Sequence, residues 1–248
     1  MRPFVQHYDA IYSDKDYRAD TEILRGLVKP PARPHLLEIG AGTGNQTLLL
    51  NEWADVTAVE TDADFMEILR QKCAAQPSIT IFEKDIGALP AMQGDGAAAY
   101  FHVVNYIHDE HTLAHLFKEI AGRLKPKAPF LFDMWHGECV MSDPPRATTR
   151  VKAFSNYLGK GIVTQIIKPA LDMPRRTVTL NYTITVEMED QAALAPFDET
   201  IRLHLWRQNE IVAALRQAGF YEIEFHDGRN FAQAATAQSW TLWVTART

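Results

Sequence analysis

One short segment, residues 36–45, limits the folds open to this chain more than any other. An apolar run ends there in three glycines at alternate positions, Gly40, Gly42 and Gly44, and a helix-like segment follows. Glycine lets the backbone turn tightly and approach a bound ligand closely, because it has no Cβ atom. The order strand, glycine loop, helix and second strand is typical of the first unit of a nucleotide-binding α/β fold.

The spacing of the glycines narrows the choice of nucleotide. A dinucleotide-binding loop reads G-x-G-x-x-G, which would place the third glycine at position 45, where this chain has Asn45. Glu60 ends the second apolar run, 20 residues after Gly40, where a carboxylate can accept hydrogen bonds from ribose hydroxyls. The pattern therefore disfavours an NAD-type oxidoreductase. A solvated acid at a strand end is the alternative interpretation of Glu60.

Residues 38–44, which read as an acid, an apolar residue and G-x-G-x-G, resemble the first motif of class I S-adenosylmethionine-dependent methyltransferases. The resemblance covers roughly residues 8–136 and 207–246. It implies S-adenosylmethionine as the cofactor, with its methionine half in the glycine loop and its ribose on Glu60. It also implies that Glu38 holds either the loop or the amino group of the cofactor.

The same resemblance assigns roles to residues outside the loop. Thr61 would touch the adenosine, Asp85 would accept a hydrogen bond from the adenine amino group, and Ile86 would pack on the adenine ring. Tyr12 and Tyr17 are similar to N-terminal aromatic residues that close over the cofactor in this family. Each tyrosine is explained equally well as an anchor that docks a helix.

The first half of the chain alternates strands with helices, which predicts a parallel sheet covered on both faces. Asp62 is placed to cap one of the intervening helices, and residues 29–34, rich in proline, should end an earlier one. The predicted strands lie at residues 35–39, 56–60, 79–82, 97–104 and 130–135.

The pattern changes between about residues 150 and 207, where strands follow one another without helices. Residues 177–186 alternate strictly between apolar and polar side chains. We therefore predict a Rossmann-like, seven-stranded methyltransferase sheet with an antiparallel β insertion after strand five. Residues 1–136 and 207–248 would form the cofactor-binding domain. Residues 137–206 would form the insertion, acting as a wall of the acceptor site or as the contact of a possible homodimer.

Composition excludes several classes of protein. A formal net charge of −6 and a pI of about 5.8 disfavour a nucleic-acid substrate. The two cysteines form no C-x-x-C pattern, and His111 and His115 have no third ligand at a suitable spacing, so we predict no metal. No secretory signal and no apolar run of about 18 residues is visible, which predicts a cytoplasmic protein without a membrane partner.

Two histidines lie at the ends of predicted strands, at the edge where open α/β sheets bind their ligands. His102 ends strand four with Asn105 just after it, and His136 follows strand five, so these three are the candidates for the acceptor side. His102 is also a candidate contact of the cofactor, because the resemblance places the methyl group there. A core histidine bonded to backbone is the alternative for His102. Neither histidine has a carboxylate partner close in sequence, which favours an amine acceptor over an alcohol that needs a base. Asp133 could still supply such a partner in space.

A narrower resemblance concerns the substrate. The opening residues 8–12 (Y-D-A-I-Y), the late insertion and residues 218–220 (A-G-F) resemble small-molecule methyltransferases that act on amino sugars attached to nucleotides. This implies methyl transfer to a nitrogen or oxygen of a polar small molecule. The alternatives are an O-methyltransferase of another metabolite that uses a histidine base, and a cofactor-binding module without transfer activity.

Overall fold

The computed structural model describes residues 1–29, 32–189 and 194–248. Pro30 and Pro31, part of the predicted helix-ending segment, lie outside the described residues, as do residues 190–193 of the predicted insertion. The helices are α1 (Pro3–Gln6), α2 (Tyr8–Ile11), α3 (Tyr17–Leu27), α4 (Asn45–Asn51), α5 (Ala63–Cys73), α6 (Glu110–Ala121), α7 (Gly137–Ser142) and α8 (Gln208–Gln217). The strands are β1 (His35–Ile39), β2 (Asp55–Val59), β3 (Ile79–Phe82), β4 (Gly96–Ala99), β5 (Pro129–Trp135), β6 (Thr148–Asn156), β7 (Gly159–Asp172), β8 (Thr177–Met188), β9 (Phe197–His204), β10 (Tyr221–Asp227), β11 (Asn230–Ala234) and β12 (Thr241–Arg247).

The main sheet has the order β11-β10-β12-β5-β4-β1-β2-β3 among the described strands. Strands β1 to β5 are parallel, and β12 joins β5 antiparallel. The predicted Rossmann-like fold class is confirmed. The described sheet has one strand more than the seven predicted, because β11 forms a hairpin with β10 at the edge. The carboxyl ends of the parallel strands meet at one edge of this sheet, where the candidate site lies.

Local sequence signals explain how the helices begin. The Asp62 side chain accepts hydrogen bonds from the backbone N–H groups of Asp64 and Phe65 at 3.0 and 3.2 Å, which confirms its predicted role as a cap of α5. Asp109 caps α6 in the same way through the N–H of Thr112 at 2.8 Å. These caps satisfy N–H groups that the helices themselves leave free.

The apolar faces of α6 and α8 cover one side of the main sheet. Four buried aromatic rings form the centre of this layer, with neighbouring ring centroids 5.0 to 5.8 Å apart: Phe117, Phe130, Phe132 and Phe220. Such packing removes large apolar surfaces from water and fixes the sheet that carries the site. No helix among the described residues is both long and apolar enough to cross a membrane.

The insertion forms a separate antiparallel sheet in the order β6-β7-β8-β9. The strict alternation predicted for residues 177–186 has a direct cause, because every second side chain of β8 is buried. This inner face packs on the N-terminal helices, and Val178 and Ile184 share one apolar cluster with Phe4 and Ile11. The second sheet therefore lies over the chain start, within the residues 137–206 assigned to the insertion.

Candidate active site

The glycine loop follows β1 with three residues in the left-handed region. The φ angles of Gly40, Gly42 and Gly44 are 69°, 57° and 85°. A Cβ atom on Gly40 would lie 2.6 Å from a methyl group of Val103, whereas one on Gly42 would meet no atom within 4 Å. Gly42 therefore borders open space, as a residue that cradles a ligand should. The loop fits the predicted methionine half of the cofactor.

Glu60 lies at the end of β2 with its carboxylate turned to the loop. It accepts hydrogen bonds from the backbone N–H groups of Gly42, Thr61 and Asp62 at 2.7, 2.7 and 2.8 Å. A carboxylate offers about four acceptor positions, so about one remains for a hydroxyl group. The carboxylate is buried rather than solvated. The contact of Glu60 with ribose stays a prediction. The position of the carboxylate, which the three N–H groups hold fixed, is compatible with that contact. Thr61 contributes its backbone here, and its contact with the adenosine also stays a prediction.

Glu38 is buried beneath the same loop. Its carboxyl group accepts a hydrogen bond from the Thr47 hydroxyl at 2.6 Å, which ties β1 to α4. Burial raises the pKa of Glu38 to about 8, and the nearby charge of Glu60 adds to the rise. The Glu38 side chain is therefore mostly protonated at neutral pH. This geometry suits its predicted role of holding the loop.

Asp85 and Ile86 follow β3. The Asp85 carboxylate is exposed and caps a short 3₁₀ turn by accepting from the Gly87 N–H at 2.8 Å. Ile86 is buried in the main core beside Val59. The structure places both residues at the carboxyl edge beside Glu60, and their contacts with adenine stay predictions.

Asp9 was not among the predicted site residues, yet it joins three parts of the structure. Its buried carboxylate accepts from the Thr43 hydroxyl at 2.7 Å and from the Asn45 amide at 2.9 Å, and it pairs with Lys72 at 2.5 Å. Burial is the largest influence and opposes ionisation, but the charge of Lys72 and the hydrogen bonds from Lys72, Thr43 and Tyr157 together outweigh burial and lower the pKa of Asp9. The N-terminal helices are thus fastened to the glycine loop through one side chain. The acid within the Y-D-A-I-Y segment was the available signal.

The two candidate tyrosines occupy different places. The Tyr12 ring lies 4.7 Å from Tyr8 and 4.8 Å from Phe101, and it lines a cavity at the carboxyl edge. Tyr17 begins α3 outside that cavity wall, with the Lys15 ammonium 5.7 Å from its ring centroid. Burial raises the pKa of both phenols. Tyr12 therefore both anchors its helix and faces the cavity. The cofactor contacts predicted for both tyrosines stay predictions.

This cavity has a volume of about 460 Å³ and lies between the carboxyl edge of the main sheet and the second sheet. The main domain lines it with aromatic rings and a histidine, and the insertion lines it with apolar groups, a tyrosine and two arginines. Its principal lining residues are Tyr12, Lys15, Phe101, His102, Tyr106, Trp135, Arg146, Arg150, Ile167, Leu180, Tyr182, Leu203 and Trp240. It has the size and mixed lining of a small-molecule site.

His102 lies in the cavity wall next to a buried carboxylate. Nδ1 of His102 is 2.7 Å from Oδ2 of Asp133, although the carboxylate lies off the line of an Nδ1–H bond. The other oxygen of Asp133 accepts from the backbone N–H groups of Phe101 and His102 at 2.5 and 3.2 Å. Burial is the largest influence on Asp133 and opposes its ionisation, but His102, Lys15 and the backbone N–H of His102 together outweigh burial and lower the pKa of that carboxyl. The carboxylate partner that His102 lacks in sequence is supplied in space.

Asn105 and His136 are not brought to the cavity wall. The fully buried Asn105 amide donates to the carbonyl of His204 at 2.8 Å and accepts from the N–H of Trp135 at 2.9 Å. His136 is also buried, and Nδ1 lies 2.8 Å from the carbonyl oxygen of Ser239. Both side chains thus fasten neighbouring elements together. Contact of either one with the acceptor stays a prediction that this geometry does not support.

Part of the chain is similar in sequence to known methyltransferases. Residues 36–127 match the family model described as a methyltransferase domain. The ribosomal RNA small subunit methyltransferase A of Synechococcus sp. (strain RCC307) is 37% identical over 116 residues, which cover 44% of this chain and 42% of that protein. The chain spans between 32% and 42% of the length of the four curated relatives it matches.

Two solved structures extend the likeness over nearly the whole chain. DesVI of Streptomyces venezuelae superposes with a TM-score of 0.80 at 18% identity, covering 99% of this chain and 98% of that one. CalS10 of Micromonospora echinaspora, an amino pentose methyltransferase whose structure holds S-adenosylmethionine, gives a TM-score of 0.76 at 17% identity, with 97% and 96% covered.

Residues 36–127 therefore match a methyltransferase domain, and the fold over nearly the whole chain is that of DesVI and of the S-adenosylmethionine-bound amino pentose methyltransferase. The predicted resemblance is confirmed for this domain and this fold, and both matches agree with the predicted enzyme class and cofactor.

Proposed function

We propose that the protein transfers a methyl group from S-adenosylmethionine to an amino nitrogen of a polar small molecule, with an amino-sugar nucleotide as the first choice. The observation that carries this proposal is the cavity of about 460 Å³ between the two sheets. It opens at the carboxyl edge that also carries the glycine loop, so an acceptor and the cofactor would meet there. The amino pentose methyltransferase named above has the same fold over almost its whole length.

Methyl transfer requires the protein chiefly to align the acceptor nitrogen with the carbon–sulfur bond and to remove a proton. When bound, the cofactor supplies a methyl group on a positively charged sulfur, and the acceptor nitrogen attacks in line with the carbon–sulfur bond. In this chain the glycine loop and Glu60 would hold the cofactor. Aromatic side chains such as Tyr12, Tyr182 and Trp135 would hold the flat faces of a sugar ring or base.

The charges at the cavity favour an acceptor that carries an anion. Arg146, Arg150 and Lys15 all line it, and the one carboxylate among the described residues of the same lining, Asp14, is paired with Lys152. Lys15 pairs with Asp20 at 2.5 Å, and Arg146 lies 3.9 Å from Asp143. No carboxylate of the described residues lies within 4.0 Å of the Arg150 guanidinium. A diphosphate attached to the sugar would complement these cations, because guanidinium groups bind phosphate through paired hydrogen bonds.

Two other kinds of acceptor are alternatives to an amine. An alcohol acceptor is favoured by the Asp133 carboxylate beside His102, because this pair can remove a hydroxyl proton. A ribosomal RNA acceptor is suggested by the names of the curated relatives. The net charge of −6 argues against RNA, since binding to a phosphate backbone depends on clustered positive charge.

The test measures S-adenosylhomocysteine formation with three acceptors: an amino-sugar nucleotide, the same nucleotide sugar with a hydroxyl in place of the amine, and a ribosomal RNA fragment. We expect turnover with the amine alone. Turnover with only the hydroxyl compound or only the RNA would refute the amine proposal. Calorimetric binding of S-adenosylhomocysteine without turnover on a broad panel of amines would instead support the non-catalytic module.

Two further properties belong to the proposal. A homodimer contact on the insertion is supported by the edge strand β6 and by exposed apolar side chains on one face, Val151 at 65%, Ile162 at 45% and Ile166 at 41% exposure. Sedimentation equilibrium tests this, and a monomer at all concentrations would refute it. A cytoplasmic location is supported by Cys73 and Cys139, which are both free and buried.

A further inference from the structure

The pair His102 and Asp133 is the cluster of titratable groups that connects the main sheet to the acceptor cavity. We infer that His102 accepts the proton of the acceptor's ammonium or hydroxyl group through Nε2, and that Asp133 is the positioning residue that keeps this nitrogen unprotonated and turned to the cavity. This inference rests on the proposed function for its reaction, and on the geometry of the pair for its tautomer.

The two ring nitrogens of His102 have different surroundings. Nδ1 is a buried atom, and Oδ2 of Asp133 lies 2.7 Å from it. Nε2 is not a buried atom and forms no hydrogen bond with the described residues, while the ring lines the cavity. A carboxylate beside Nδ1 favours the tautomer with hydrogen on Nδ1, because that hydrogen can then be donated. Nε2 is left with a free lone pair toward the acceptor.

The contact between Nδ1 and Asp133 is close but not linear. Catalytic hydrogen bonds are often poorly aligned before a substrate binds and become linear in the complex. The distance of 2.7 Å already corresponds to a charge-assisted bond.

The backbone at His102 has an unfavourable conformation that the surrounding structure holds in place. Phe101 and His102 have φ angles of 67° and 64°, a left-handed conformation that residues with a Cβ atom rarely adopt. Residues held in this conformation tend to cluster at functional sites. Oδ1 of Asp133 accepts from both N–H groups of this turn. One carboxylate therefore fixes both the strained turn and the ring that the turn presents.

The charges near the pair agree with this role. Asp133 is buried and ionised, so it would stabilise the imidazolium that forms when Nε2 takes up a proton. Lys15 opposes that protonation, but its own charge is paired with Asp20. The other titratable groups that line the same cavity are Tyr12, Asp14, Tyr106, Arg146, Arg150 and Tyr182.

With an amine acceptor, the proton is removed before the methyl group is transferred. A protonated amine gives one proton to Nε2 of His102 and becomes neutral. Its lone pair then forms the new carbon–nitrogen bond while the bond between the methyl carbon and sulfur breaks, and that electron pair stays on sulfur. The imidazolium later releases its proton to water. For an alcohol, the same nitrogen takes the hydroxyl proton as the carbon–oxygen bond forms.

Asp133→Asn tests the positioning role directly. The amide oxygen still accepts from the two backbone N–H groups, but the amide nitrogen donates to Nδ1, so the hydrogen moves to Nε2. We expect kcat of Asp133→Asn to fall by ~10²–10⁴-fold, with KM within threefold of wild type. The kcat of His102→Gln should fall by a similar factor. The wild-type pH–rate profile should contain an ionisation that is absent from His102→Gln, whose residual rate should follow only the acceptor's own titration. His115→Gln, on the exposed side of α6, is the matched control and should keep its kcat.

A second readout does not depend on turnover. Long-range ¹⁵N–¹H spectra should show the Nδ1–H tautomer of His102 in the wild type and the Nε2–H tautomer in Asp133→Asn. An Nε2–H tautomer in the wild type would overturn the inference even if no acceptor were identified. So would a kcat within threefold of wild type in both variants. Absence of turnover with the predicted tautomer intact would refute the proposed function instead.

Discussion

The two halves of the carboxyl edge are built in different ways. On the proposed cofactor side, the glycine loop and Glu60 lie close together in sequence, between Glu38 and Asp62, and backbone N–H groups donate three hydrogen bonds to Glu60. On the proposed acceptor side, the cavity is lined by residues from 12 to 241, which come from elements far apart in sequence. A site made of contiguous backbone has little freedom to vary, whereas a site made of distant side chains can change its ligand while the fold stays the same.

Substituting Gly42 should give the largest effect, because the cofactor half depends on backbone shape. Gly42→Val places a branched side chain in the open space of the loop and at a φ of 57°. We expect loss of S-adenosylhomocysteine binding by at least about 100-fold in calorimetry, since each 1.4 kcal/mol is a factor of ten. Gly26→Val, in α3 with equally open surroundings, is the control and should bind normally. Normal binding by Gly42→Val would place the cofactor away from the loop.

Glu60→Ala should give the next largest effect on cofactor binding. Losing a hydrogen bond from ribose to a charged group should weaken S-adenosylhomocysteine binding by about 1.5–3 kcal/mol, or roughly 10- to 150-fold. The three N–H groups that Glu60 holds would also lose their partner. Glu60→Gln separates these effects, because it keeps an acceptor for the loop but loses the charge. Unchanged affinity in both variants would move the ribose site elsewhere.

Arg150→Ala tests the acceptor half and should leave the cofactor half untouched. We expect KM for a phosphate-bearing acceptor to rise roughly tenfold, because one charged hydrogen bond is lost. The same acceptor without its phosphate should show no such rise. S-adenosylhomocysteine affinity, measured by calorimetry, should equal that of the wild type. An equal rise in KM for both acceptors would show that Arg150 shapes the cavity and does not bind the phosphate.

The last prediction concerns the stability of the fold and its pH dependence rather than binding. Because the folded pKa of Glu38, about 8, exceeds its ordinary value of 4.5, the folded state holds the proton more tightly than the unfolded state. The stabilisation is fully present below about pH 4.5 and is lost as pH rises toward 8. We expect Glu38→Gln, which is neutral at every pH, to remove this slope of at most about 1.4 kcal/mol per pH unit.

Urea unfolding at several pH values between 5 and 8 measures that slope. Identical slopes for the wild type and Glu38→Gln would mean that the carboxyl group titrates normally beneath the loop. The loop would then be held by the Thr47 bond alone.

Local features of the fold can be predicted from the sequence, and the reason is physical. Glycine spacing, the Asp62 cap and the alternation of residues 177–186 are local signals, and each acts on neighbours in the chain. The contacts of Asp9 with Thr43 and of Asp133 with His102 span more than 30 residues, so no local pattern reveals them. His136 follows its strand as predicted, but the chain turns into α7 there and buries the ring.

The extra strand was missed for a similar reason. β11 is largely exposed along its length, so it lacks the apolar alternation that marks a half-buried strand. Only its pairing with β10 defines it.

The N-terminal helices also determine the order in which the molecule can be completed during synthesis. Phe4 and Ile11 pack in one cluster with residues of β8 and β9, and Asp14 pairs with Lys152. Asp9, by contrast, contacts Thr43 and Lys72 of the main domain, which lie much nearer in sequence. The Rossmann-like strands β1 to β5 can pair before the insertion is made, since domains fold as their own segments emerge. The contacts of Phe4, Ile11 and Asp14 with the second sheet can form only after that sheet has been synthesised, so this wall of the cavity is completed later than the glycine loop.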